Sequence, residues 1–165
     1  MAFCKLILLF AVCFAGPPGT TRFEWTEAEI NGNIDSSLKS SPRPGLDSLV
    51  LKFFDGNYVS TYATVDFDAV EKWKPGTIPK LMRRILNGKR SILVDLRFFV
   101  NNAHATFKIE KAYYEGIPIP PLIVEKVIQA IAARQPEKYD SSSPLPLPLG
   151  MVNMWTKPQL VAGEK

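Results

Sequence analysis

The sequence predicts an α+β fold, in which helices pack on one face of an antiparallel β-sheet. Two observations lead to this prediction. Two segments alternate apolar and polar residues on both sides of a turn, as β-hairpins do, and stretches with helix signals precede, separate and follow them. The resulting order is helix, hairpin, helix, hairpin, helix, strand. We therefore expect a sheet of two hairpins plus a C-terminal strand, packed against two to three helices.

The first predicted element is a helix that begins after Thr26. Thr26 and Glu29 have the spacing of a capping box, in which each side chain bonds a backbone N–H that the helix leaves free. Ile30, Ile34 and Leu38 follow on one helical face. The stretch SPRPG should end the helix, because proline cannot continue the hydrogen-bond ladder.

The two hairpins are predicted from alternation around short turns. Asp55-Gly56-Asn57 is the turn signal of the first hairpin, and Asn101-Asn102 is that of the second. Because one side of each strand is apolar and the other polar, one face of the sheet is expected to be buried. The apolar positions are Leu49, Leu51, Phe53, Val59, Ala63, Val65 and Phe67 in the first hairpin, and Ile92, Val94, Leu96, Phe98, Val100, Phe107 and Ile109 in the second.

Two further helices are predicted at proline-containing sequences. The stretch TIPKLMRRILNG, residues 77–88, carries Thr77 as its cap and Gly88 at its end. The stretch EGIPIPPLIVEKVIQ, residues 115–129, is held extended by its prolines until an apolar helix starts near Pro121. The stripe of that helix is Val124, Val127, Ile128 and Ile131. Beyond it, Leu145, Leu147 and Leu149 alternate with prolines as an extended edge segment, and a strand is predicted around residues 151–155.

The N-terminal residues have the pattern of a secretory signal. Lys5 precedes an apolar run from Leu6 to Ala15, which is shorter than the ~20 residues that span a bilayer. We expect a signal peptide at 1–15, a flexible lead at 16–24, a single α+β domain at 25–157 and a tail at 158–165. The protein is expected to be exported, periplasmic or secreted, with lipid anchoring at Cys13 as the alternative. Cys4 and Cys13 are the only cysteines, so the mature chain is expected to have no disulfide.

Residues that carry chemistry are few in this sequence. His104 is the only histidine, and strand alternation places it on the polar side. Asp66 and Asp68 are the best pair of carboxylates, but Asp68 also suits a helix cap for DAVEKW. Phosphate loops, calcium loops and nucleophile elbows are absent, and the net charge of +4 comes without a dense basic stripe. We therefore expect no enzyme, no metal, no cofactor and no nucleic-acid partner.

Aromatic residues come in adjacent pairs, among them Phe53-Phe54, Phe98-Phe99 and Tyr113-Tyr114. Neighbouring residues of a strand lie on opposite faces, so some of these rings are expected outside the main core. They either line a groove for an apolar ligand or belong to a well-filled core with a few exposed aromatics. The sequence leaves both interpretations open.

The order of the segments resembles that of exported bacterial envelope proteins. The matching stretches are FEWTEAEINGNI, VDFDAV, the second hairpin with GIPIPPLIVEKVI, and PLPLPLGMVNMW. More distantly, the chain is similar to LmeA-like and tubular lipid-binding (TULIP-like) proteins. This resemblance implies a strongly curved antiparallel sheet that wraps a helix and leaves an apolar groove for lipid. It implies no catalytic or metal-binding residues.

Together these observations predict a non-enzymatic protein that binds lipid or another apolar ligand at the cell envelope. The alternative is an interaction or scaffold module that binds another protein through an aromatic surface or a sheet edge. The expected residues of the core or groove are Phe53, Phe98, Phe107, Ile109, Val124, Val127, Ile128 and Ile131. The expected contacts with head groups of a membrane surface are Arg83, Arg84, Lys89 and Arg90.

Overall fold

The computed structural model describes residues 22–42, 44–73, 75–76, 78, 80, 83–125, 144–147 and 150–165. The strands are β1 (Arg22–Thr26), β2 (Leu46–Phe54), β3 (Tyr58–Asp66), β4 (Lys89–Asn101), β5 (His104–Tyr114), β6 (Ile117–Ile119), β7 (Leu145–Pro146), β8 (Asn153–Lys157) and β9 (Leu160–Glu164). The helices with complete bounds are α1 (Glu27–Ser40) and α2 (Phe67–Trp73). The larger antiparallel sheet has the order β2-β3-β4-β5-β6, with β7 also beside β5, and the smaller sheet has the order β1-β9-β8.

The larger sheet curls into a half-barrel, which confirms the predicted α+β fold with a curved antiparallel sheet. Its two hairpins, β2–β3 and β4–β5, lie where the alternation predicted them. The turn of the second hairpin is Asn102-Ala103 and not Asn101-Asn102. Both turn residues have positive φ (49° and 60°), as a two-residue hairpin turn requires, and Asn101 pairs with His104.

Side chains of the larger sheet alternate between an inner face, which carries the core, and an outer face. Leu49, Leu51 and Phe53 of β2 lie on the inner face and are buried. The alternation is interrupted in β5, because Leu96 pairs with Ile109 while the preceding Asp95 pairs with Lys111. This β-bulge gives β5 an extra residue and allows its apolar positions on both sides of the bulge to face inward.

Helix α1 begins with the predicted capping box. The Thr26 hydroxyl accepts the Glu29 N–H at 3.2 Å, and the Glu29 carboxylate accepts the Thr26 N–H at 2.8 Å. Ile30 and Ile34 are buried on the side of α1 that packs on β2, and Leu38 is partly buried against the same core. The helix therefore covers the inner face near this end strand of the sheet.

The smaller sheet was not predicted as a sheet. Residues 22–24, expected in a flexible lead, belong to β1, and Leu160–Glu164, expected in a tail, form β9. The predicted C-terminal strand is present as β8, but it pairs with β9 and not with the hairpins. Val161 of β9 is fully buried, so this segment is part of the core.

The turn between β8 and β9 joins the smaller sheet to the rest of the molecule. Gln159 adopts a φ of 61°, its N–H donates to the Phe53 carbonyl at 3.2 Å, and its carbonyl accepts the Glu27 N–H at 2.8 Å. The buried Thr156 hydroxyl donates to the Phe54 carbonyl at 2.5 Å. These bonds hold the end of β2, the start of α1 and the β8–β9 hairpin together.

The core has two clusters that meet at Leu96, which packs partly buried against both. The main core lies between the inner face, α1 and the smaller sheet, and the second cluster lies at the other end of β4 and β5. The buried members of the main core are Phe23, Trp25, Ile30, Ile34, Leu49, Leu51, Phe53, Val59, Phe98, Ala105, Leu147, Met151, Met154 and Val161. The second cluster has buried Val94, Ala112 and Val124, with Ile92, Ile109 and Ile119 partly buried around them.

Helix α2 is capped by a different aspartate from the one expected. The Asp66 carboxylate accepts the backbone N–H groups of Asp68 at 3.1 Å and Ala69 at 3.0 Å. Asp66 can do this because it ends β3 directly before the helix, whereas Asp68 already lies inside the first turn. The predicted capping role of Asp68 is therefore wrong.

The prediction of a helix at 77–88 is corrected at residues 83–85, which form a turn, while Lys80 has 3-10 geometry and residues 77, 79, 81 and 82 lie outside the described residues. The third helix is described only at 121–125, and Val127, Ile128 and Ile131 lie outside the described residues. In the predicted extended edge segment, Leu145 lies in β7 and Leu147 directly after it, whereas Leu149 is not described. Within the described ranges, none of the helices has the length and apolar character needed to cross a bilayer.

Candidate functional site

One stretch of β5, residues 106–111, lies between two short partner strands, and we call it the β5 window. On the side of β5 away from β4, β7 pairs with His104 and Ala105, while β6 pairs with residues 112–114. Among the strands that the structure describes, none pairs with β5 on that side between these points. Among the described strands, the window is therefore the part of this β5 edge without a partner.

Phe107 lies in the β5 window and belongs to the inner face, yet its side chain is 40% exposed. Its partner across the strands is Phe98, which is only 2% exposed, and the two ring centroids are 6.2 Å apart. Leu96 and Ile109, also on the inner face, are partly buried. The apolar inner face thus continues from the core to solvent at this window.

The predicted groove residues fall into three groups. Phe53 and Phe98 are buried in the main core, so they support the fold beneath the inner face. Ile109 and Val124 belong to the second cluster, and Phe107 alone of the described residues in this set is exposed. Val127, Ile128 and Ile131 are outside the described residues. The described members that reach the window are therefore Phe107 and Ile109.

The predicted head-group residue Arg83 is held by an ion pair. Its guanidinium contacts the Glu71 carboxylate and donates to the Ile78 carbonyl at 3.4 Å. Glu71 also accepts the backbone N–H groups of Gly76 at 2.7 Å and Ile78 at 3.0 Å. The Gly76 N–H, then the Ile78 N–H and the Arg83 charge, lower the pKa of Glu71. Glu71 thereby organises the connection that leads from α2 to β4.

The other three predicted head-group residues lie close to this connection. Lys89 pairs with Asp47 at 2.7 Å, and the hydrogen bond and charge of that carboxylate raise the pKa of Lys89. Arg90 donates to the Asn87 side chain at 2.9 Å. Arg84 is exposed. The four cations therefore belong to one segment, in which Arg83, Arg84 and Lys89 are exposed.

The outer face carries an apolar row that crosses four strands. Val50, Tyr62, Leu93 and Tyr113 are cross-strand neighbours in β2, β3, β4 and β5. Val50 and Tyr62 are 42% and 40% exposed, and the Lys52 ammonium lies 5.5 Å from the Tyr62 ring centroid. The row is an apolar surface of the kind that the alternative prediction of a protein partner requires, although only Tyr113 in it belongs to the aromatic pairs from which that surface was predicted.

A polar network lies next to this row on the outer face. The Ser60 hydroxyl donates to Asp95 at 2.6 Å. Burial, a hydrogen bond to Asp95 and the charges of Asp95 and Glu110 raise the pKa of Tyr58 to about 12. Arg97 stands 6.0 Å from the Tyr58 ring centroid. The network therefore keeps the Tyr58 phenol protonated further into the alkaline range than an ordinary tyrosine.

The outer edge of β2, where another chain would add a strand, is closed by side chains of α1. The Asn31 amide accepts the Leu51 N–H at 2.8 Å and donates to the Leu51 carbonyl at 2.9 Å. Glu27 accepts the Phe53 N–H at 2.9 Å. Because these backbone groups are occupied, this stretch of β2 does not offer a template for strand addition.

The residues considered for catalysis are not assembled into a site. His104 is exposed, as strand alternation predicted. Its Nδ1 lies 2.7 Å from the Asn102 carbonyl oxygen. Asp66 is occupied with the cap of α2, and Asp68 is exposed. Across the described residues, no group of three or more His, Cys, Asp or Glu side chains could hold a metal ion.

Sequence reasoning missed several exposed apolar residues, because exposure depends on which strands end beside them. Alternation put Phe107 inward but did not reveal the window beside it. Trp73, Ile85 and Ile117 were not singled out, although they are 48%, 60% and 64% exposed. The available signal was their position next to cations or prolines in WK, RRIL and GIPIPP.

Comparisons with known proteins give little for this chain. No family model matches it, and no curated protein matches it. Among solved structures, it is similar to the crystal structure of a lipopolysaccharide binding protein, with 10% identity and a TM-score of 0.26. The match covers 87% of this chain and 40% of the other chain, so this chain spans less than half of that protein. Likeness at this level supports no statement about function.

Proposed function

We propose that this protein binds a lipid or another apolar ligand at the β5 window and catalyses no reaction. The observation that carries the proposal is the exposure of Phe107 on the otherwise core-forming inner face. A ring in that position exposes apolar surface that an acyl chain or similar ligand would remove from water. Ile109 and Leu96 extend the same surface towards the two core clusters.

The proposal includes the cellular setting that the N-terminal sequence suggests. Residues 1–15 would direct export to the periplasm or the medium, with lipid anchoring at Cys13 as the alternative. In an envelope setting, an apolar site at a sheet edge would have lipid as an abundant ligand. The proposed activity requires no cofactor or metal.

Native mass spectrometry of protein purified without detergent tests the proposal. We expect a monomer with an added mass that is lost on collisional activation. Phe107→Asp should raise the dissociation constant of the ligand about tenfold and thereby lower the fraction of protein that carries it, because burying a large apolar side chain contributes roughly 1.5–3 kcal/mol and 1.4 kcal/mol corresponds to a factor of ten in Kd.

Phe99→Asp is the matched control for Phe107→Asp. Phe99 is 49% exposed and lies on β4 next to the window strand, but on the outer face. It should therefore keep the ligand while introducing the same charge at a similar exposure. A bare wild-type monomer, or equal loss in both variants at unchanged thermal stability, would contradict the proposal.

The alternative function, a scaffold that binds another protein, is supported by the exposed row on the outer face. Val50 and Tyr62 leave apolar surface there, while the β2 edge is closed by Asn31 and Glu27. Contact through the outer face therefore suits this alternative better than strand addition at β2. A bare dimer in the same spectra, lost in Tyr62→Asp but kept in Phe107→Asp, would favour the scaffold.

A further inference from the structure

Exposed apolar side chains gather at the end of the larger sheet where β3 ends and β4 begins. Trp73 ends α2, Ile85 lies in the connection before β4, and Ile117 starts β6. Ile85 and Ile117 are 60% and 64% exposed, more than any other large apolar residue that the structure describes. We call Trp73, Ile85 and Ile117 the apolar tip.

The backbone around the apolar tip is held in place. The Tyr114 hydroxyl donates to the Ile85 carbonyl at 2.6 Å. In the sheet, Tyr114 of β5 is the cross-strand partner of Ile117 of β6. The Asn87 amide donates to the Arg84 carbonyl at 2.9 Å. Glu71, two residues before Trp73, holds Arg83, two residues before Ile85. The fold thus fixes these residues at one end and presents their apolar side chains to water.

The sequence around the apolar tip is strongly basic. Residues 71–90 contain one acid, Glu71, and seven cations, which are Lys72, Lys74, Lys80, Arg83, Arg84, Lys89 and Arg90. The single acid is paired with Arg83, and Lys89 is paired with Asp47 from outside this stretch. Lys72, Lys80 and Arg84 are exposed. This end of the molecule therefore combines protruding apolar side chains with exposed cations.

We infer that the apolar tip docks the protein on the surface of an anionic lipid bilayer. Tryptophan and aliphatic side chains insert at the level of the head groups, and lysine and arginine beside them bind anionic phosphates. Exposed apolar side chains separated by cations fit a bilayer, which accepts scattered anchors, better than a protein partner, whose interface core excludes charge. This inference does not depend on ligand binding at the β5 window.

Vesicle flotation of the full chain tests the inference, with all variants prepared identically. We expect binding to vesicles of equal parts phosphatidylcholine and phosphatidylglycerol, weak binding to phosphatidylcholine alone, and a decrease with added salt. Ile85→Ser and Trp73→Ser should each weaken binding about tenfold, because each removes an inserting apolar side chain. Arg84→Gln should weaken it about fivefold at low salt and less at high salt.

Val152→Ser and Phe99→Ser are the matched controls. Both residues are about as exposed as the tip residues, 54% and 49%, but lie outside the apolar tip. They should bind vesicles as the wild type does. Equal loss in the controls, no loss in the tip variants, or no binding to anionic vesicles would overturn the inference. Native mass spectra of the tip variants test ligand binding at the β5 window separately. A tip variant that keeps its ligand but no longer binds vesicles has lost only the membrane contact.

Discussion

Tyr58 shows how the outer face controls a single titratable group. Its phenol is surrounded by partly buried neighbours, hydrogen-bonded to Asp95 and close to the charge of Glu110. Each of these influences disfavours the phenolate, so the pKa of Tyr58 rises to about 12. Because the folded state holds this proton more tightly than the unfolded state, its contribution to stability is present below pH ~10 and is lost as the pH rises towards 12.

Asp95→Asn should move the titration of Tyr58 down towards its ordinary pKa of 10.0, since the substitution removes the negative charge but keeps an acceptor for Ser60. Phenolate absorbance as a function of pH measures the shift. The spectrum of Tyr58→Phe identifies the step that belongs to this residue. A midpoint that stays near 12 in Asp95→Asn would show that burial and the charge of Glu110 set it without Asp95.

For the residues of the candidate site, the sequence predicted which face of the sheet they lie on but not how exposed they are. Two-residue alternation correctly put Phe53, Phe98 and Phe107 on one face. It could not separate them, because two are covered by other segments and the third lies where β6 and β7 leave a gap. Solvent exposure is a property of the neighbouring strands and not of the local pattern.

At the scale of whole elements, side chains of α1 form hydrogen bonds with the backbone of β2. The amide of Asn31 imitates a neighbouring strand by bonding both backbone groups of Leu51, and Glu27 bonds the N–H of Phe53. Two side chains of the helix thus close this part of the end strand against strand addition.

Asn31→Ala should lower the free energy of unfolding by about 1–3 kcal/mol, because it leaves the partly buried N–H and carbonyl of Leu51 unpaired. It should also promote self-association through the opened edge. Urea denaturation and size-exclusion chromatography measure the two effects. Ser36→Ala, at an exposed position of the same helix, is the control and should change neither. A fully stable monomeric Asn31→Ala would contradict the sealing role.

Elements fixed by local signals were predicted well, and those fixed by distant partners were not. The hairpins and the Thr26 cap depend on residues a few positions apart. In contrast, β1 pairs only with β9, at the far end of the chain, and the β8–β9 turn puts Gln159 in a conformation usually taken by Gly or Asn. Residues 77–88 have helical spacing, but Glu71 binds the backbone of Gly76 and Ile78 in a non-helical arrangement.

At the scale of the whole molecule, β9 joins the two ends of the described chain. It is the central strand of the smaller sheet, with β1 on one side and β8 on the other, and Val161 and Ala162 are 0% and 1% exposed. Next to them, a Cβ at Gly163 would lie 2.2 Å from the sulfur of the fully buried Met151. The C-terminal segment is therefore packed as tightly as the hairpins.

Removal of residues 158–165 should unfold the domain. The deletion leaves β1 and β8 without their common partner and opens the main core, whereas a domain of this size has only about 5–15 kcal/mol of stability to lose. Circular dichroism and hydrogen exchange measure the result. Deletion of Lys165 alone is the control and should leave the domain folded, because it removes only the ammonium 5.4 Å from the Phe23 ring centroid and no residue of β9. Native-like protection in the longer deletion would show that the hairpins and α1 fold without β9.

The pairing of Arg22 with Glu164 also sets the order in which the chain folds. Each hairpin closes a loop of a few residues and is complete once its own segment has been synthesised. The pairing of β1 with β9 closes a loop that contains most of the described residues, and loop closure costs more entropy the longer the loop. Phe53 and Phe98 therefore remain uncovered by the smaller sheet until β9 has been made. A chain built in this way keeps one side of its core open while the hairpins and α1 are already complete.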